Sequence, residues 1–157
     1  MRYETDKQGF TLVEIMFTVS IIGLLAILGS VAIRGAVKNA RIKQATVEVE
    51  FLSVAALQLA HDTGRWPNQA PRNNGGSVEI WNISGTSSGL VDSDDSYNNW
   101  NGPYYEGETL DPWGNPYFFD PDYRIDGVNH AVMGSFGPNG IGRNRYDDDD
   151  IYVLLDD

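Results

Sequence analysis

The chain has 157 residues, the length of one small domain, and it contains no cysteine. Disulfides, thiolate metal sites and cysteine nucleophiles are therefore excluded. The net charge of −11 argues against nucleic acid as a partner, because binding to phosphates needs a basic surface. Residues 1–65 carry 7 basic and 6 acidic side chains, whereas residues 66–157 carry 4 and 16. This uneven charge predicts two parts that lie in different surroundings.

A long apolar run occupies residues 10–33, and Glu14 is the one charged residue within it. A helix of about 20 apolar residues spans the core of a bilayer. A secretory signal peptide has a shorter apolar stretch and a small-residue cleavage site after it, and this run has neither feature. The pattern therefore predicts one membrane-spanning helix over residues 10–33.

Apolar residues recur beyond this run at spacings of three and four, which is typical of an amphipathic helix. They are Ile42, Ala45, Val49, Leu52, Ala56 and Leu59. Signals that break a helix begin at Gly64 and Pro67. One helix is therefore predicted over residues 10–62, and residues 63–157 are expected to form a globular part.

A basic row lies on another face of the same helix, at Arg34, Lys38 and Arg41. These side chains either form a solvated face or pair with acidic groups of neighbouring subunits. The sequence alone leaves both interpretations open.

The segment of residues 68–110 is rich in Asn, Gly, Ser and Asp, and it is predicted to be mostly loop with one strand over residues 78–83. The sequence DSDD, which starts at Asp92, resembles the beginning of an EF-hand loop. An EF-hand needs Gly and Glu at the positions that Tyr97 and Pro103 occupy here. A solvated acidic loop is predicted instead.

The carboxyl-terminal segment combines turn signals with strand candidates. DPWGNPY, which starts at Asp111, is rich in residues that favour tight turns. Strands are predicted from Tyr117 onward, over residues 130–136 and over residues 151–155.

Four consecutive aspartates, Asp147 to Asp150, lie between the last two predicted strands and repel one another. A divalent cation would relieve this repulsion, and calcium accepts carboxylate, amide and carbonyl oxygens in flexible geometry. The alternative is a solvated hairpin tip that carries a run of charge.

The first residues, MRYETDKQG followed by FTLVEIM, resemble the prepilin leader of type IV pilins and type II secretion pseudopilins. In that family a membrane peptidase cuts after the glycine and methylates the new amino terminus, and a glutamate at the fifth mature position serves assembly. The resemblance implies a leader over residues 1–9, cleavage between Gly9 and Phe10, N-methylation of Phe10 and an assembly role for Glu14. A carboxylate in hydrocarbon is costly, and the new ammonium of Phe10 would neutralise Glu14 of a neighbouring subunit.

The carboxyl-terminal part is similar to the major pseudopilin of type II secretion, through DPWGNPY, SFGPNG and DDDI. The similarity extends roughly over residues 7–67 and 111–151. In that family the last loop binds calcium, so the resemblance implies a structural calcium ion here. The implied ligands are the Phe136 carbonyl and the side chains of Asn139, Asp148 and Asp150, with the choice among the four aspartates left open.

The resemblance also implies the fold, which is α+β and type IV pilin-like. A long amino-terminal helix, half of it transmembrane, would pack on a small antiparallel β-sheet with long loops. Residues 68–110 would form a variable loop, and residues 111–157 would form the sheet and the metal loop.

The implied function is that of a structural filament subunit, a major pseudopilin that polymerises into a periplasmic pseudopilus and drives protein export. A type IV pilin of a surface fibre is the close alternative. The expected partners are further copies of the chain, minor pseudopilins, the prepilin peptidase and the inner-membrane assembly platform. The chain would cross the inner membrane once, with the leader side cytoplasmic and the carboxyl-terminal domain periplasmic.

Two other classes of function are alternatives to the filament subunit. A membrane-anchored carbohydrate-binding module would use an aromatic face built from tryptophans. The candidates are Trp66, Trp81, Trp100 and Trp113. The chain has no H-E-x-x-H, G-x-S-x-G or Walker motif, so the sequence predicts that the protein is not an enzyme.

Overall fold

The computed structural model of the protein describes residues 9–72, 78–145 and 147–155, so residues 1–8 of the predicted leader lie outside the described residues. The long helix and the small antiparallel sheet confirm the predicted α+β class. The elements in chain order are the helix α1 (Leu12–Thr63) and the strands β1 (Phe118–Ile125), β2 (Val128–Ser135) and β3 (Ile151–Leu154).

α1 ends where its sequence allows the chain to turn. Gly64 adopts a φ of +73°, and its amide donates a hydrogen bond to the carbonyl of Ala60 at 3.0 Å. A glycine in the left-handed conformation is a common helix terminator, because it has no Cβ to clash. The helix bounds therefore lie close to the predicted residues 10 and 62.

The chain divides into two compact units between Asn39 and Ala40. In the first unit, the described side chains from Phe10 to Asn39 are exposed, and α1 is long and apolar enough there to cross a membrane. An apolar helix surface that the rest of the chain does not cover is stable in lipid or against other apolar helices. The apolar helix is consistent with membrane anchoring.

In the second unit, the predicted amphipathic stripe of α1 is buried. Ala45, Val49, Leu52, Ala56 and Leu59 are fully buried, and Ile42 at the start of the stripe is half-buried. The same core contains large side chains of the sheet and the segment before it, including Tyr117, Phe119 and Met133. Each buried leucine side chain contributes about 2 kcal/mol, so this stripe holds α1 to the sheet.

The sheet has the order β1-β2-β3 and is antiparallel throughout. A second apolar cluster forms around the side chains of Phe118, Tyr123, Val132 and Phe136. The rings of Phe118 and Phe136 stack with 4.4 Å between their centroids. A Cβ on Gly134 would come within 2.5 Å of the Phe118 ring, so this aromatic stack needs a glycine on β2.

The prediction of a strand over residues 78–83 is wrong. Its single ladder contact is a bridge in which Ile80 and Phe119 exchange two backbone hydrogen bonds, each 2.8 Å long. Beyond this bridge, the side chain of Asn82 accepts a hydrogen bond from the backbone amide of Ser84. Such a local turn replaces the ladder bonds that an extended strand would need.

β1 begins one residue after the predicted start at Tyr117. It continues through Pro121 to Ile125, with an irregularity in register between Asp120 and Tyr123. A proline cannot donate to a ladder, so it is tolerated at a bulge. The two later strands confirm the prediction with small shifts of their ends.

The segment predicted as a polar loop supplies part of the core. The side chains of Ile83 and Leu90 are fully buried, and the Leu90 carbonyl accepts hydrogen bonds from the amides of Tyr104 and Tyr105. The indole of Trp100 donates to the carbonyl of Gly89 at 2.8 Å. These long-range bonds satisfy the polar backbone of an irregular segment, which allows it to be buried.

Asp111 links the turn before β1 to the end of β2. Its Oδ1 accepts hydrogen bonds from the amides of Trp113 and Asn115, and its Oδ2 accepts one from the hydroxyl of Ser135 at 2.6 Å. The Ser135 hydroxyl in turn accepts from the amide of Gly137 at 3.1 Å. Asp111 and Ser135 are both buried, so the turn and the loop after β2 are held in one fixed arrangement.

Replacing Ser135 by alanine should destabilise the second unit by about 2 kcal/mol, because a buried carboxylate oxygen and a buried amide both lose their partner. The measurement is denaturant unfolding of the detergent-solubilised chain, followed by tryptophan fluorescence. Ser87→Ala, at an exposed serine, is the control and should change stability by less than about 0.5 kcal/mol. Equal stability of the two variants would contradict the role of this bond.

Candidate functional site

The predicted cleavage position lies at the accessible start of the described chain. Phe10 is 86% exposed, and among the described residues a side chain built at Gly9 would meet no atom within 4 Å beyond its chain neighbours. Both residues precede the first residue of α1, Leu12. The peptide bond between Gly9 and Phe10 is therefore accessible in the described chain.

Glu14 lies in the first turn of α1, where it caps the helix. Its Oε2 accepts hydrogen bonds from the amide and from the hydroxyl of Thr11, each 2.9 Å long. The amide of Glu14 donates back to the Thr11 hydroxyl at 3.3 Å. This reciprocal pattern is a capping box, which satisfies amides that the helix leaves without a partner.

The capping box is a role for Glu14 that the sequence reasoning missed. The signal was present, because Thr11 stands three residues before Glu14, directly ahead of the apolar run. The cap gives Glu14 a structural function within its own chain. It leaves the negative charge in place, so the carboxylate can still attract an ammonium group.

The acidic loop between β2 and β3 is organised by Asn139. Its side-chain Nδ2 donates hydrogen bonds to the carboxylates of Asp147 and Asp149, and its backbone amide donates to Asp149 at 3.1 Å. Its Oδ1 accepts from the amide of Ile141 at 2.6 Å. The amide of Asn139 therefore lies between two carboxylates and offsets part of their repulsion.

Asp150 joins this cluster to the sheet, because its Oδ2 also accepts a hydrogen bond from the amide of Asp147 at 3.4 Å. Its Oδ2 accepts a hydrogen bond from the hydroxyl of Tyr123 at 2.8 Å, and its Oδ1 is buried without a hydrogen-bond partner. Burial raises the pKa of the Asp150 carboxyl above its usual range. A buried carboxylate oxygen without a partner is costly, and a cation would satisfy it.

The side chains of the four residues predicted to bind calcium lie in different surroundings. Asn139 lies with Asp147 and Asp149, Asp148 is exposed, and the ring of Phe136 is buried in the second apolar cluster. The atoms of the loop that could ligate a metal are oxygens, and one of these oxygens has no hydrogen-bond partner. This set therefore fits a calcium ion. The assignment of individual ligands stays a prediction.

The acidic loop packs closely on the end of β2. Gly137 has a φ of +62°, and a Cβ at this position would come within 2.1 Å of the carbonyl oxygen of Asp149. The amide of Gly137 is fixed by Ser135, which Asp111 holds in place. The turn motif DPWGNPY thus positions the loop that carries the four aspartates.

A second acidic cluster was missed by the sequence reasoning. Carboxylate oxygens of Glu79, Asp120 and Asp122 lie within 4.8 Å of one another. Asp120 is fully buried, and its Oδ1 accepts a hydrogen bond from the amide of Asp122 at 2.9 Å. The bridge between Ile80 and Phe119 brings Glu79 to this place, and a local sequence pattern could not predict that pairing.

The cluster of Glu79, Asp120 and Asp122 has a distinct electrostatic character. Burial, with smaller contributions from the neighbouring carboxylates of Asp122 and Glu79, raises the pKa of Asp120 to about 7. Burial also raises the pKa of Glu79, with a further contribution from the charge of Asp122. At least one carboxyl of this group therefore holds its proton in mildly acidic solution.

The tryptophans have packing roles in the second unit. Trp66 is buried, Trp81 packs against Phe118 and Phe136, and Trp100 contacts the ring of Tyr104 edge-on. Trp81, Trp100 and Trp113 are each half-buried, so part of every ring is covered. The aromatic face expected of a carbohydrate-binding module finds no support in this arrangement.

The raised pKa of Asp120 predicts a defined dependence of stability on pH. Between pH 3.8, its ordinary pKa, and about 7, the folded state holds a proton that the unfolded chain has released. The contribution of this carboxyl to the free energy of unfolding is fully present below this window and is lost as the pH rises through it. Asp120→Asn should remove the loss and stabilise the protein at pH 7.5 by about 4 kcal/mol.

The measurement is thermal unfolding of the solubilised chain in the presence of chelator, at intervals of about one pH unit between pH 4 and pH 8. Asp126→Asn, on the exposed turn between β1 and β2, is the matched control and should follow the parent chain. If the Tm of Asp120→Asn and the Tm of the parent change in parallel with pH, the buried carboxyl of Asp120 does not cause the pH dependence of stability.

One known protein family is similar to the amino-terminal part of the chain. A family model described as the prokaryotic N-terminal methylation motif matches residues 5–30. No curated protein and no solved structure matches the chain. The matched segment contains the predicted cleavage position, the capping glutamate and the apolar part of α1. The amino-terminal segment therefore carries the methylation motif of prepilins, which supports placing the chain among the type IV pilin-like prepilin proteins.

Proposed function

We propose that the protein is a structural filament subunit that is cleaved between Gly9 and Phe10 and methylated at Phe10. The observation that carries this proposal is the methylation motif over residues 5–30, whose described part continues into the exposed apolar start of α1, where Glu14 is the one acidic residue. A simple membrane anchor needs neither the motif nor a carboxylate in its apolar run. The proposal assigns no catalytic role to the chain.

Assembly would be driven by the part of α1 that the chain itself leaves uncovered. Burial of apolar surface contributes about 25 cal/mol per Å², so packing such helices side by side is favourable. The ammonium of Phe10, created by cleavage, would neutralise Glu14 of the adjacent copy. This ion pair would fix how far one helix is displaced along the next.

The finer proposal is a major pseudopilin of a type II secretion system. It is supported by the similarity of the carboxyl-terminal motifs and by the oxygen-rich loop after β2. The subunit would lie in the inner membrane with its second unit periplasmic, and it would polymerise there with minor pseudopilins on an assembly platform. Cells that lack this chain would distinguish a pseudopilin from a type IV pilin. Loss of protein export with an intact surface fibre would indicate a pseudopilin.

We also propose that calcium binds the loop between β2 and β3. The residues that would hold it are Asn139 and the carboxylates of Asp147, Asp149 and Asp150, with Asp148 and the Phe136 carbonyl retained as predicted ligands. The ion would supply positive charge to a loop whose carboxylates repel one another. In a chain without cysteines, such an ion would take the structural role that a disulfide has in other small domains.

Glu14 allows the two roles of its carboxylate to be separated experimentally. Glu14→Gln keeps the capping box, because glutamine serves at this position, but it removes the charge. Thr11→Ala keeps the charge and weakens the cap, at a cost of about 1 kcal/mol. We expect Glu14→Gln to be processed normally yet to lose most of its filaments, and Thr11→Ala to keep most of them.

The readouts are the mass of the amino-terminal peptide from membrane-extracted protein and the amount of filament that sediments after shearing. A mature chain that begins at methylated Phe10 is expected for both variants. A mature chain that begins at Met1 would overturn the proposed function. A normal filament yield from Glu14→Gln would contradict a role of the charge in assembly, and helix capping would then be the function of this side chain.

Calcium should raise the Tm of the solubilised chain by several degrees when its concentration is about a hundredfold above the Kd. Asp147→Asn combined with Asp149→Asn should abolish this rise, because both carboxylates flank Asn139. Asp92→Asn combined with Asp94→Asn removes the same charge from another loop and should retain the response.

The Asp120→Asn variant tells the two acidic clusters apart in this measurement. It should retain the calcium response if the ion binds between β2 and β3. A Tm that chelator leaves unchanged in the parent chain would remove the calcium proposal altogether.

A further inference from the structure

α1 carries a second apolar face within the second unit. Val47, Phe51, Val54 and Leu57 are between 43% and 59% exposed, although they stand on a helix whose other stripe is fully buried. Their spacing of three and four residues places them on neighbouring rows of the helix surface. These four side chains form the exposed row of α1.

Two cavities flank the exposed row and join it to the segment before β1. One has a volume of about 460 Å³ and the other about 500 Å³, and both are lined by Val54, Gln58 and Tyr104. Together they form one groove along α1. Such a groove has room for side chains of a second helix.

The walls of the groove are fixed by hydrogen bonds. The hydroxyl of Tyr104 donates to Asp62 at 3.0 Å, and the hydroxyl of Tyr105 donates to Glu48 at 2.7 Å. Both tyrosines thereby hold the loop against α1 on either side of the apolar row. The groove is preformed, so a partner would bind without ordering it first.

The rim of the groove is acidic. The side chains of Glu48, Asp62 and Glu106 line it, and its lining includes neither lysine nor arginine. Glu106 is exposed, and the other two are partly buried. A partner for this groove needs an apolar ridge with basic residues beside it.

The same chain carries such a ridge on α1. Arg34, Lys38 and Arg41 are exposed, and residues 34–43 contain no acidic residue. Among the residues that the structure describes, none of these bases has a carboxylate within 4.0 Å. Ile33 and Val37 are also exposed and stand next to the basic row, one position earlier in each case.

We propose that the groove beside residues 47–57 receives the basic segment of α1, residues 33–43, from a second copy of this chain. The apolar side chains of Ile33 and Val37 pack on Phe51 and Val54, and the bases reach the acidic rim. Lys38 and Val54 are 16 residues apart, so the two parallel helices are displaced by about 24 Å along their axes. This inference rests on the proposed function, because it needs copies that assemble side by side.

The test uses the full chain in its membrane and exploits the absence of cysteine. Val37→Cys and Gln58→Cys are placed on two differently tagged copies, which are joined with a short bis-maleimide. We expect a strong product that contains both tags. Val37→Cys with Asp126→Cys, on the exposed turn outside the groove, is the matched control and should give little product.

Charge reversal tests the acidic rim with the same cysteine pair. Glu106→Lys alone and Lys38→Glu alone should each lower the yield of joined product about fivefold, because a favourable contact becomes a repulsive one. The two reversals together should restore the yield. Asp126→Lys is the control for the change in net charge and should leave the yield unaltered.

Sedimentable filament is measured in parallel, which separates this inference from the proposed function. Filaments with a processed amino terminus but equal products from the groove pair and the control pair would overturn the groove and leave the filament intact. Equal yields from single and double reversals would overturn the charge pairing. A chain that makes no filament would overturn the proposed function and this inference with it.

Discussion

α1 must satisfy two different surroundings with one continuous helix, and the rest of the structure follows from that constraint. From residue 40 onward, its buried stripe is covered by the sheet and by irregular segments of the same chain. Before that point its described side chains are exposed, and most of them are apolar. The chain can bury only half of its own helix, so the other half needs lipid or further helices.

The sequence predicted the features that depend on local periodicity. The bounds of α1, the buried positions from Ala45 to Leu59 and the sites of β2 and β3 follow from spacing and turn residues. The acidic cluster around Asp120 and the buried positions of Ile83 and Leu90 depend on contacts between distant segments. No local pattern records that Ile80 pairs with Phe119, so these features lay beyond sequence reasoning.

The two acidic groups of the second unit differ in how their charge is managed. The group around Asp120 is buried beside the irregular part of β1, and there a proton reduces the repulsion between carboxyls. The group around Asn139 is more exposed, and an amide lies between its carboxylates. Burial favours neutralisation by protonation, whereas an exposed loop of oxygens leaves room for an ion.

The capping box of Thr11 and Glu14 has a consequence for the kinetics of assembly. Both bonds from Thr11 end on one oxygen of the carboxylate, which holds the side chain in a single rotamer before any neighbour arrives. Most of the rotational entropy that an ionic contact would otherwise cost is thus lost during helix formation. In the proposed filament, an incoming subunit would therefore meet a carboxylate that is already oriented, and the encounter would need no search among side-chain conformations.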